Sequence, residues 1–237
     1  MKLKEIPVSI YTSIKLSSLS VKSIVSKTKE EIPVIVSLTS IPERLQTLHL
    51  TIRSILNQDS RPKKILLWLH ESLKNEIPVK LRILESDLFE IMYSDLTCSH
   101  RKLIHSLELF PEDIIITCDD DMMYRTNWLS LLYKEYILHP DNIIANQTRY
   151  IRYTGDGELL PYRNWVFEKN MNFNSTAVIP IGAEGVLYPP KKLKDITTNS
   201  ELFLSLAPKA DDLWFKAMAL LNGTNSILAK NRAKTPI

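Results

Sequence analysis

The chain has 237 residues, 44% of them hydrophobic and 24% charged, the composition of a folded domain with one sizeable core. A formal net charge of +3 does not by itself mark a nucleic-acid binder. Two cysteines, Cys98 and Cys118, exclude a disulfide scaffold, and no apolar run reaches the roughly 18–20 residues of a membrane-spanning helix. With no apolar stretch of signal-peptide type at the N-terminus, a cytoplasmic location is expected, and the sequons at Asn146, Asn174 and Asn222 are expected to be fortuitous.

Residues 1–31 are rich in Ser and Lys with thinly spread apolar positions. They are expected to form an N-terminal arm, either loosely attached or a peripheral helix whose basic face touches anionic lipid. From Ile32 the pattern becomes regular. "IPVIVSLTS" is a β-branched apolar run ending in small polar residues, as buried parallel strands do. In "TLHLTIRSILNQ", Leu48, Ile52, Ile55 and Leu56 stand at helical spacing. Residues 63–70 and 89–95 predict two more strands, 100–110 a helix with Leu103, Ile104 and Leu107 inward, and "EDIIITCDDD" a fourth strand. A helix over 127–139, capped by Asn127, and a strand over 141–146 follow. Residues 151–210 are loop-rich and aromatic, and 211–221 predict a closing helix. Alternating strands and helices imply an α/β domain over 32–237 with a mostly parallel sheet flanked by helices. Its halves are a nucleotide-type half, 32–150, and a loop-built half around a cleft, 151–237.

The chain holds only five glycines, at 155, 157, 182, 185 and 223, so neither a G-x-G-x-x-G nor a Walker loop can be written. A bound phosphate would then need another partner. Asp119, Asp120 and Asp121 follow a buried strand directly. On extended backbone, positions i and i+2 face the same way, so Asp119 and Asp121 are expected to share one ion while Asp120 points elsewhere. Mg²⁺ or Mn²⁺ accepts carboxylate oxygens and completes its shell with water and phosphate. Asp211-Asp212 opens the last helix, where a carboxylate can cap the helix or take a proton from a substrate hydroxyl.

"VSLTSIPERL", "TIRSILNQ", the strand with its D-x-D, "GVLYPP" and "DDLWF" together resemble the GT-A fold glycosyltransferases. The likeness is to family 2-like enzymes of bacterial capsule and lipopolysaccharide assembly, and it covers about residues 32–222. The resemblance implies a single Rossmann-like domain and transfer, with inversion, from a nucleotide-sugar donor, commonly UDP-linked. The acceptor implied is a hydroxyl of a surface polysaccharide or lipid-linked sugar. It implies metal at Asp119 and Asp121, donor sugar or ribose at Asp120, and nucleotide at Thr39, Ser40, Arg44 and Lys102. Asp212, or else Asp211, becomes the general base, with Glu184 in reserve. Where such enzymes often place an acidic residue for the base, this chain has His70-Glu71, which makes His70 the candidate. Trp165, Tyr162 and Tyr188 are candidates to stack on sugar rings, whereas Trp214 is expected in the core.

Rival chemistries are a metal-dependent phosphohydrolase or nucleotidyltransferase built on the Asp119–Asp121 cluster, and a non-catalytic carbohydrate-binding module. Met122 and Met123 follow the aspartates where a dehalogenase-type phosphatase expects Thr or Val, and the glycine-rich opening of nucleotidyltransferases is absent.

Overall fold

A computed structural model describes residues 6–25, 29–166 and 176–237. Asn174, and residues 1–5 and 26–28 of the N-terminal arm, lie outside the described residues.

The sheet begins with β1 (Glu31–Thr39), β2 (Arg61–His70), β3 (Phe89–Ser94) and β4 (Ile114–Thr117). It continues with β5 (Ile143–Ala145), β8 (Val186–Tyr188) and β9 (Ser226–Leu228), in the spatial order β3-β2-β1-β4-β8-β5-β9. β1 pairs in parallel with both β2 and β4, and β2 with β3. β8 runs antiparallel to both of its neighbours, β4 and β5, while β9 is parallel to β5. The sheet is therefore parallel except for β8, as the strand–helix alternation predicted. The inserted strand itself was not expected, because it is a three-residue element inside the stretch read as loops. β6 (Thr148–Tyr150) and β7 (Val178–Pro180) form a small separate ribbon.

Both faces of the sheet are covered, which is why β1 and β2 are apolar without alternation. On one face Val34, Val36 and Leu38 pack with α3 (Leu45–Leu56), α4 (Val79–Arg82) and α6 (Trp128–Leu138). On the other, Ile35, Leu66 and Trp68 meet α5 (Arg101–Leu109), α7 (Ser200–Leu206) and α8 (Asp211–Leu221). Trp214 is buried there, its Nε1 donating to Thr197 O at 2.9 Å, so its expected core place holds. Asn127 does occupy the residue before α6, but its side chain makes no capping hydrogen bond.

At the N-terminus, α1 (Ile6–Ser18) lies against α3, and α2 (Val21–Ile24) buries Ile24 in the core on that face of the sheet. The buried Arg53 guanidinium donates to Leu16 O and Leu19 O, at 3.0 and 2.8 Å, tying α1 to the domain. Val8, Ile10, Tyr11 and Ile14 of α1 are exposed, and so is Lys15 in its last turn. No described helix is long and apolar enough to cross a membrane.

Candidate active site

Successive strands run from β1 to β2 and β3 on one side, and then the chain returns to place β4 on the other side of β1. Loops leaving β1 and β4 diverge at such a reversal and open a crevice at the strand ends, the place where open α/β sheets bind ligands. Here that crevice is a cleft of about 250 Å³, lined by Thr39 and Ser40 after β1, Asp119 and Asp120 after β4, and Asp211 and Asp212 at the start of α8. Arg44, Arg101, Lys102 and Gly182 complete its charged wall and floor.

Lys102 is the hub. It is buried at the start of α5, where Leu103 and Ile104 turn inward to the sheet and fix the helix. Its ammonium lies 3.1 Å from Asp119 Oδ1 and 3.1 Å from Asp211 Oδ2. Burial alone would lower the lysine pKa, but Asp211, Asp119 and Asp212 together raise it, so the group stays charged. Ser37 on β1 donates to Lys102 O at 2.5 Å, which pins α5 to the sheet beneath the site.

Asp211 and Asp212, adjacent in sequence, are driven apart in acidity. Burial disfavours both carboxylates, yet the Lys102 charge and a Ser99 hydrogen bond hold Asp211 below the usual carboxylate range. Asp212 is pushed up to about 7 by burial and by the charge of Asp211. Its two oxygens share one donor, Gly182 N, at 3.2 Å each. Two neighbouring carboxyl groups with separated pKa values are the pattern from which acid and base roles arise. Asp212 can accept a proton near neutrality, and Asp211 remains an anion. Gly182 must be small: a Cβ there would stand 3.2 Å from both Lys102 Nζ and Asp212 Oδ1.

The three consecutive aspartates separate. β4 ends at Thr117, and the chain bends instead of staying extended, so the two-residue alternation does not persist. Asp119 turns to Lys102. Asp120 is nearly buried, accepts from Ser40 Oγ at 2.5 Å and pairs with Arg44 at 2.5 Å. Asp121 is 46% exposed, pairs with Arg44 at 3.2 Å, and lines a different cavity beside α1. This corrects the expectation that Asp119 and Asp121 face one way with Asp120 turned aside: Asp119 and Asp120 share the cleft. The chain's own cations also provide part of the compensation that three adjacent carboxylates require.

Arg101 was missed. It is buried, donates through Nε to Thr39 Oγ1, and reaches Leu96 O and Ser40 O at 2.5 Å each. It clamps the loop after β1 against α5. The signal was present as a second cation beside Lys102 in "HRKL". Tyr124 was missed as well. Its hydroxyl accepts from Asp119 N at 2.9 Å and lies 3.0 Å from Ala183 O, joining the acidic turn to the 182–184 segment.

Other candidates fall elsewhere. His70 is not among the residues lining the cleft; its Nδ1 accepts from Ser72 N and contacts Ser72 Oγ, capping the turn after β2. Trp165 and Tyr188 are buried, Trp165 in a small cluster with Ile151 and Ile179, Tyr188 within the sheet, so neither offers a ring face to a sugar. Tyr162 is exposed, with Arg149 over its ring. Glu184 is not among the residues lining the cleft; it lines a second cavity.

The acidic residues of the cleft are oxygen donors, the ligand type that hard divalent cations take. Four carboxylates (Asp119, Asp120, Asp211, Asp212) line the cleft against three cations, Arg44, Arg101 and Lys102. Asp119 Oδ2 and Asp121 Oδ1 make no hydrogen bond among the described residues. Oxygen ligands in negative excess are what Mg²⁺ and Mn²⁺ take. Among the described residues no group of three or more His, Cys, Asp or Glu side chains is placed so as to hold a metal ion.

No protein-family model matches the chain, and no curated protein matches it in sequence. Among solved structures it is similar to 4-diphosphocytidyl-2C-methyl-D-erythritolsynthase from Anaerococcus prevotii. The identity is 12% and the TM-score 0.49, over 91% of this chain and 90% of that one.

Proposed function

We propose that the protein is a metal-dependent glycosyltransferase that moves a sugar, with inversion, from a nucleotide-sugar donor, UDP-linked by preference, to an acceptor hydroxyl of a surface polysaccharide or lipid-linked sugar. The carrying observation is Asp212. It is a carboxyl held near 7 beside a permanently charged lysine, in the crevice at the carboxyl ends of β1 and β4.

In this reading the acceptor oxygen attacks the donor's anomeric carbon, the bond from that carbon to the diphosphate oxygen breaks, and Asp212 receives the hydroxyl proton. Asp211 stays ionised beside Lys102 and holds the lysine in place. Lys102 and Arg44 bring positive charge to the leaving diphosphate, as a glycine cradle does elsewhere. Ser40, Thr39 and Asp120 line the donor side of the cleft. Asp119, with Asp121 after a turn of its exposed side chain, would hold a divalent ion, which when bound supplies Lewis-acid stabilisation of the departing phosphate. A cytoplasmic location accompanies a donor of this kind.

The test is UDP release from a panel of UDP-sugars with Mn²⁺, together with calorimetric titration of UDP with and without EDTA. The reading expects metal-dependent binding, and turnover of at least one sugar nucleotide. Equal UDP affinity with and without metal would remove the metal from the proposal. Pyrophosphate formed from a nucleoside triphosphate, with no sugar nucleotide consumed, would establish the nucleotidyltransferase chemistry instead.

A further inference from the structure

A surface helix needs one apolar stripe to hold it to the body beneath, and α1 carries two. Its inward side is already held: Leu16 is buried, the Arg53 guanidinium donates to Leu16 O and Leu19 O, and Ser13 Oγ lies 3.6 Å from Met123 Sδ. The second stripe faces solvent. Ile10 and Ile14 stand four residues apart, Tyr11 three before Ile14 and Val8 three before Tyr11, so the four side chains adjoin on one side of the helix. Ile10 is 56% exposed, Ile14 65%, Tyr11 67% and Val8 46%. Single exposed apolar residues are ordinary, but a contiguous group marks a contact surface. The charge around this group has one sign. Lys15, four residues after Tyr11, borders the stripe, and Lys22 is exposed on α2. Neither helix contains an acidic residue, and residues 1–29 hold six lysines against one glutamate.

An apolar stripe bordered by lysine matches an anionic bilayer: the apolar side chains enter the boundary between headgroups and acyl chains, and the ammonium groups meet lipid phosphate. Tyr11 suits that boundary, with an apolar ring and a polar hydroxyl. We propose that α1 lies on an anionic membrane surface, with Ile10, Tyr11 and Ile14 inserted and Lys15 and Lys22 against the headgroups. A second copy of the chain fits less well. Four side chains fall far short of the roughly 20–30 residues a side of a stable protein interface, and two copies would bring like charges together. The helix also leads toward the cleft: Val8 lines a cavity of about 900 Å³ with Asp120 and Asp121, and Asp120 lines the cleft as well. Membrane contact does not depend on the chemistry of the cleft. Joined to the glycosyl-transfer reading, it selects a lipid-linked acceptor over a free polysaccharide.

The experiment floats the full chain with vesicles of phosphatidylcholine, alone or with about 30% phosphatidylglycerol, and measures UDP affinity and Tm on the same samples. Binding to the anionic vesicles is expected to be at least about tenfold tighter than to the neutral ones, and to fall steeply as salt rises. Lys15→Gln and Lys22→Gln should each weaken it about fivefold, the effect of one lysine near a charged leaflet. Ile10→Ser, Tyr11→Ser and Ile14→Ser combined should abolish binding to both vesicle types with Tm and UDP affinity unchanged, because all three side chains are mostly exposed. Where the serine variant unfolds early, the two lysine variants carry the test, and unchanged binding in both overturns the proposal. Equal binding to the two vesicle types, binding to neither, or undiminished binding of a folded serine variant overturns it too. So does a dimer in lipid-free solution that the serine variant dissolves, which would assign the stripe to a second copy. Vesicle binding as expected without any UDP affinity counts against the nucleotide-sugar reading alone.

Discussion

Replacing Asp212 with asparagine should make the protein more stable above neutral pH. The unfolded chain titrates this carboxyl near its ordinary value of 3.8, and the folded protein near 7. Below about pH 4 the group is protonated in both states and contributes nothing. Between 4 and 7 the folded protein keeps a proton the unfolded chain has lost, so stability falls as pH rises, and above 7 the whole penalty is present. The interval between those two values, at about 1.36 kcal/mol per pH unit, sets a ceiling of about 4 kcal/mol. Part of that is not recovered on substitution, because Lys102 loses one of the three carboxylates that favour its charge and because the cleft admits water. A gain of about 1–2 kcal/mol remains, which is roughly 2–8 °C in Tm for a chain of this size. Asparagine keeps an oxygen for Gly182 N and leaves the fold of α8 alone. Thermal unfolding of both proteins at pH 5 and pH 8.5 reads the effect: the variant's advantage should be full at 8.5 and mostly gone at 5. An asparagine variant less stable than the parent at pH 8.5, or an offset equal at both pH values, would refute the electrostatic account of Asp212. Turnover should fall by about 10²–10⁴-fold in the same variant with UDP affinity retained, the loss typical of a missing general base.

Lys102→Met should cost about 3–5 kcal/mol in denaturant unfolding, because it strands Asp119 and Asp211 without their shared cation; a loss under 1 kcal/mol would show the lysine to be dispensable. Gly185→Ala meets two obstacles, a backbone φ of +103° and a Cβ 2.7 Å from the Trp128 ring, so soluble yield and Tm should both drop. Gly182→Ala presses on Lys102 Nζ and Asp212 Oδ1 instead, and should lower turnover at least tenfold while shifting Tm by only a few degrees; normal kinetics in that variant would separate the segment from the chemistry.

Much of this arrangement is written plainly in the sequence, because burial on both sheet faces leaves long apolar runs. β1, α3, β2, β3, α5, β4 and α8 all announce themselves in this way, and α8 runs over the span its pattern predicts. β8 and β9 do not, since three residues carry too little periodicity to separate a strand from an apolar stretch of loop. At the site, the acidic residues were legible by type but not by direction. The alternation that places side chains holds only while the backbone stays extended, and it stops at Thr117, two residues short of Asp119. Arg101 and Tyr124 act through backbone atoms of distant segments, partners that no local pattern specifies. Trp165 and Tyr188 looked like sugar platforms because composition reports an aromatic's presence and not its depth.

The antiparallel β8 also has a kinetic consequence. β1 to β4 can pair as the chain is made, each strand meeting one already formed or soon to follow. β5 has no such option on its β4 side, because the place between them is filled by a strand that the chain reaches only after β5, β6 and β7. Closing that gap requires a long loop to be drawn in before any contact repays the entropy, and contacts of this range are slow to form. The 182–184 segment and α8 flank β8 in sequence, so Gly182, Asp211 and Asp212 can reach Lys102 only once that inserted strand is seated. The scaffold and half of the cleft should therefore appear early in refolding, with the proton-accepting half arriving in the slowest phase.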